Sequence, residues 1–170
     1  ALAVGFEVTI FNAALFLMGT IGPDALAAHS IAINVASVTF MVPLGIGMAA
    51  TGRVGLAYGA GDLAGVARAG WTAYGTALAY ACCTAFLMLS FGRHLVGVFL
   101  DSDTAANLPV IELAVSFVVF AGLFQFADAA QAVASGMLRG LGDTRVPMIY
   151  AAIGYWGVGL VLAIILGFHT

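Results

Sequence analysis

The chain has 170 residues, of which 63% are hydrophobic and 8% charged, whereas a soluble domain carries about 25% charged residues. Its net charge of −3 comes from eight acids and five arginines, with no lysine, so there is no basic patch to suggest nucleic acid or an anionic membrane surface as partner. These numbers exclude a soluble core and make lipid the solvent, with the few charges lying between apolar runs long enough to cross a hydrocarbon layer about 30 Å thick.

In chain order, the sequence predicts an all-α integral membrane protein with five transmembrane helices, over about 1–18, 25–56, 70–91, 109–138 and 146–167. The first starts without an initiator Met or polar leader, so further chain is expected upstream. It ends at Gly19, Gly22 and Pro23-Asp24, with Asp24 placed to cap the second helix. The second carries Pro43 in its middle, and loss of that amide frees the carbonyl of Thr39. A bend there, eased by Gly45 and Gly47, makes Pro43 a hinge candidate, with a static kink as the alternative.

Tyr58 to Arg68 reads as a glycine-rich linker. The third span comes next, with Trp71 and Tyr74 as interface anchors and the adjacent Cys82 and Cys83 as small buried hydrophobes. Gly92 to Leu108 reads as a polar loop whose apolar patch, Leu95 to Leu100, is too short to span and is expected along the interface. Pro109 suits the first turn of the fourth span, and Asp143 or Thr144 the cap of the fifth. Gly55/Gly59 and Gly136/Gly140 have the small-xxx-small spacing of close helix packing. Alternating spans put Arg53, Arg68, Arg139 and Arg145 on one side and Arg93 on the other, which makes the first side cytoplasmic.

Two carboxylates lie inside spans. Glu7 is about 18 Å before the break at Gly19 and Asp128 about 15 Å before Leu138, so both are expected near the bilayer midplane, where a carboxylate costs about 2.5–3.5 kcal/mol on insertion scales. Asn34, about 14 Å into the second span, is expected at the same depth. Helical spacing groups Gln125, Gln131 and Ser135 with Asp128, and Ser30 and Ser37 with Asn34. No Lys or Arg stands near either acid along its own helix. Such a pair points to protons, a metal cation or a cationic substrate, with oxygen ligands suited to sodium. The alternatives are protonated acids bonded to neighbouring helices, or a partner on an absent one. His29 reads as an interface residue. No zinc spacing, HExxH, phosphate loop or nucleophile with base supports an enzyme, and no cofactor is expected.

The run Ala27-Ala28-His29-Ser30-Ile31-Ala32-Ile33-Asn34, then Phe40-Met41-Val42-Pro43-Leu44-Gly45, Arg53-Val54-Gly55 and Gly59-Ala60-Gly61-Asp62, resembles the multidrug and toxic compound extrusion (MATE) family, as do Gln125-Phe126-Ala127-Asp128, Gly136-Met137-Leu138-Arg139-Gly140 and Asp143. The resemblance covers essentially the whole chain and implies helices seven to eleven of twelve. The chain would then be part of the carboxyl-terminal six-helix lobe of a two-lobe transporter in the bacterial inner membrane, with the amino-terminal lobe as partner. It implies export of organic, often cationic drugs in exchange for sodium or protons. In the sodium-coupled branch, a Glu, an Asn and an Asp on the first, second and fourth helices of this lobe form the coupling site, and they fall on Glu7, Asn34 and Asp128. That branch commonly has a Tyr where this chain has Phe124, which keeps the ring and loses a hydroxyl, favouring protons or a water-completed site. Phe124, Gln125, Gln131 and Ser30 are candidate lining residues. The competing readings are a related lipid or lipid-linked oligosaccharide flippase, whose phosphate cargo calls for a basic cavity, and a membrane-embedded enzyme.

Overall fold

The computed structural model describes residues 9, 12, 15, 16, 18–100, 104 and 107–153, and among these all regular structure is helical. Three long helices dominate: α1 (Pro23–Gly59), α2 (Leu63–Gly97) and α3 (Leu108–Gly140), succeeded by a short α4 (Arg145–Ala152). Each long helix is apolar and long enough to cross a membrane. At 1.5 Å per residue they are about 50–56 Å long, so their ends reach past the headgroups. Most of the expected first span, and the expected fifth beyond residue 153, lie outside the described residues.

The contacts set the directions. His29 meets Phe117, Thr39 meets Gln125, and Thr51 meets Gly136, so α1 and α3 run parallel with a near-constant offset. Gly70 faces Met137 whereas Gly92 faces Val115 and Val118, so α2 runs antiparallel to both. This up-down-up arrangement puts Arg53, Arg68, Arg139 and Arg145 at one end of the bundle and Arg93 at the other, as alternating spans require.

The same device makes both turns at the arginine end. In Gly59-Ala60-Gly61-Asp62 and Gly140-Leu141-Gly142-Asp143, the second glycine has φ of 72° and 83° respectively, a region open to glycine at little cost. Asp62 N donates to Ala57 O and Gly61 N to Tyr58 O, with the same pair from Asp143 N to Leu138 O and Gly142 N to Arg139 O; this is a Schellman close. Each Asp then caps the next helix: Asp62 Oδ1 accepts from Gly65 N at 2.8 Å, and Asp143 Oδ1 from Arg145 N and Val146 N at 2.9 and 3.1 Å. Helix therefore replaces most of the expected linker from Tyr58 to Arg68. At the other end Asp24 does not cap α1: the N-cap is Gly22, Pro23 opens the helix, and no side chain bonds the first amides.

Two other expectations change on packing. α2 continues past a kink at Phe91 (φ −122°, ψ 19°) to Gly97, and Val96 is fully buried with Val110, Ile111 and Ala114. Within the patch from Leu95 to Leu100, Val96 is thus drawn into the core with Leu95 and Leu100 packed partly against it, while Val98 and Phe99 stay exposed. Cys82 and Cys83 are both exposed, because α2 turns Ala77, Ala81, Ala85 and Met88 inward.

Candidate functional site

The seam between α1 and α3 holds two of the candidate residues, Pro43 and Gln125. Near the arginine end the two backbones touch: a Cβ at Gly136 would lie 2.1 Å from Gly47 O, one at Gly47 2.6 Å from Ala132 O, and one at Gly140 2.7 Å from Thr51 O. Glycine is required here by proximity. The Thr51 hydroxyl, with one proton to give, lies 2.9 Å from Gly136 O across the seam and 3.0 Å from Gly47 O on its own helix. Gly136 and Gly140 thus pack as their spacing predicts, but they meet Gly47, Thr51 and Gly55, while Gly59 faces open space.

One turn further toward the middle, Pro43 is buried in the same seam. The helix runs through it without a break. Proline has no amide to offer the carbonyl of Thr39, and the Thr39 hydroxyl is itself turned back onto Val35 O and Ala36 O at 3.1 and 2.9 Å. Gln125 Nε2 donates to that hydroxyl from α3. Gln125 is only 2% exposed, and its Oε1 has no hydrogen-bond partner. Gln125, a candidate lining residue, is directed at α1 by its position on α3 and forms a buried cross-link beside the proline.

Asp128 is one turn beyond Gln125. It is half-buried and engages another group in the structure, as does Gln131. Gln131 is exposed, and Phe124 is 65% exposed, on the side of α3 turned away from the Gly122, Val133 and Met137 contacts with α2. On α1, Asn34 is exposed and Nδ2 donates to Ser30 O at 2.8 Å, while the Ser30 hydroxyl bonds Leu26 O at 2.8 Å. The α1–α3 offset sets Asn34 level with about residue 121, so Asp128 lies about seven residues, or ~10 Å, nearer the arginine end. Asn34 and Asp128 are thus on neighbouring helices but not at one depth. Glu7 lies outside the described residues, and among those described no three His, Cys, Asp or Glu cluster to hold a metal.

His29 packs edge-on against Phe117, with ring centroids 6.2 Å apart, and its Nε2 is buried without a partner; it joins α1 to α3 at the end opposite the arginines. Sequence reasoning missed Thr39 and Thr51 as seam residues. The available signal was spacing: Thr39 is four residues before Pro43, and Thr51 is midway between Gly47 and Gly55.

The family model described as MatE matches residues 1–165. The chain belongs to the MatE family. Among its relatives is a probable multidrug resistance protein NorM of Mesorhizobium japonicum, 60% identical over 166 residues, covering 98% of this chain and 36% of the relative. One from Brucella suis is 54% identical over 169 residues, covering 99% of the chain and 36% of the relative. The multidrug resistance protein NorM of Burkholderia vietnamiensis is 45% identical over 170 residues, all of the chain and 37% of the relative. The chain therefore spans about a third of the length of the curated relatives it matches. Its family and the three membrane-length helices among the described residues make it a multi-pass segment of a bacterial membrane protein.

Proposed function

We propose that the chain is part of the carboxyl-terminal lobe of a secondary antiporter that exports organic cations in exchange for sodium ions or protons, working with the amino-terminal lobe of the same protein. The observation that carries this reading is Asp128, a half-buried carboxylate in the interior of a membrane-length helix, one turn from a proline-centred polar seam. Family membership and the multidrug resistance names of the relatives support the drug-export part.

Asp128 and Glu7 take up the coupling cation as oxygen ligands or as proton acceptors, and the ~10 Å offset along the bundle leaves Asn34 outside that set in this arrangement. Neutralising two intramembrane carboxylates at about 2.5–3.5 kcal/mol each matches the ~5.5 kcal/mol needed to move a two-state equilibrium from 1:99 to 99:1. Thr39, Gln125 and Pro43 lie where such a change passes from α3 to α1, which makes Pro43 the candidate bend. The test is drug accumulation in cells carrying the full-length transporter. Asp128→Asn and Glu7→Gln are each expected to abolish export at normal expression, and export at the wild-type level by both variants would sink the mechanism. Proteoliposomes with sodium and pH gradients imposed separately then assign the coupling ion, since a gradient that drives no uptake is not the coupling one.

A further inference from the structure

A cavity of about 510 Å³ opens between α1 and α2 at the arginine end, with Arg53 on one wall and Arg68 on the other. Fifteen positions apart in sequence, the two face each other because α1 and α2 form a tight antiparallel hairpin. Arg53 is six residues before Gly59 and Arg68 five after Leu63, so both lie about 8–9 Å below the tip, at one level. Among the described residues no ion pair holds either guanidinium. Asp62 also lines the cavity, but its carboxylate is turned onto the α2 amides, accepting from Gly65 N, where the helix N-terminus offsets its charge. Toward the bilayer interior the walls become Ile46, Ala49 and Ala73, with Thr72 and Thr76, whose hydroxyls are turned onto carbonyls of their own helix.

We propose that this cavity binds the phosphodiester headgroup of an anionic phospholipid of the cytoplasmic leaflet. Paired guanidiniums match a phosphate in charge and in fork geometry. Their level, set in from the ends of helices longer than the bilayer core, is that of the headgroups, and the small apolar walls beneath leave room for the start of an acyl chain. The sequence shows no basic cluster here; the hairpin makes one by folding distant residues together.

The test uses the full-length transporter in mixed phosphatidylcholine and phosphatidylglycerol bilayers, with native mass spectrometry of the retained lipid as the readout. At about fivefold per basic residue near an anionic surface, Arg53→Gln with Arg68→Gln is expected to weaken phosphatidylglycerol binding by about 30-fold. Arg53→Lys with Arg68→Lys should retain much of it, and Arg93→Gln, at the other end, all of it. Wild-type binding in the double Gln variant, equal loss in Arg93→Gln, or full competition by inorganic phosphate would each overturn the proposal. A wild-type protein that retains no phosphatidylglycerol would overturn it too, with another segment of the transporter then covering the cavity.

Discussion

Gly136→Ala tests the α1–α3 seam most directly. The added Cβ would sit 2.1 Å from Gly47 O, 2.7 Å from its carbonyl carbon and 2.9 Å from its Cα, all backbone atoms that no rotamer change can move. Reaching an ordinary contact requires α1 and α3 to separate locally by about 1 Å, and overpacking of that kind costs about 1–3 kcal/mol. Separation also stretches the 2.9 Å bond from Thr51 Oγ1 to Gly136 O; interhelical bonds in membranes contribute about 0.6 kcal/mol on average and up to ~1.7. Together these cost about 2–4 kcal/mol, and the helix preference for alanine over glycine returns about 1 kcal/mol, which predicts a net loss of about 1–3 kcal/mol. Gly45→Ala is the control: its Cβ meets nothing within 4 Å, and alanine is favoured over glycine in a helix by about 1 kcal/mol. Thermal unfolding of the full-length protein in one detergent should order the variants Gly45→Ala, wild type, Gly136→Ala from most to least stable. If Gly136→Ala melts with or above Gly45→Ala, the seam is not in backbone contact and the register drawn from it fails.

Thr39→Val should cost about 1–3 kcal/mol by leaving the buried Gln125 amide without its acceptor; adding Gln125→Leu should recover part of that, and a double variant as unstable as the sum of the singles would refute the pairing. Asp62→Ala removes the cap of α2 and should lower stability by about 1 kcal/mol, read as a shift in melting temperature, whereas Asp24→Ala, which caps nothing, should leave it within about 0.5 kcal/mol.

Much of the fold was legible in sequence because a bilayer restricts the choice of structure: a long apolar run that must satisfy its own amides can only be a helix or a barrel strand, and runs this long are helices. Turn chemistry was partly legible. Gly61 and Asp62 were visible as breakers, yet the Schellman bonds that let α1 and α2 reach within three residues of each other depend on donors and acceptors meeting in space. Spacing grouped Gln125 with Asp128 correctly along one helix, but burial of Gln125 against Thr39 depends on which face of α3 meets α1.

Composition and periodicity by themselves determined the solvent, the all-helical class, the alternation that gathers four arginines at one end, and the intramembrane carboxylate at Asp128. Tertiary structure alone decided what lies beside what. Lipid is as apolar as a leucine side chain and does little to drive one helix face toward another, so hydropathy cannot choose the packed face. The contact of Gly47 with Gly136, the offset between Asn34 and Asp128, and the facing of Arg53 and Arg68 arise instead from where the backbones approach most closely.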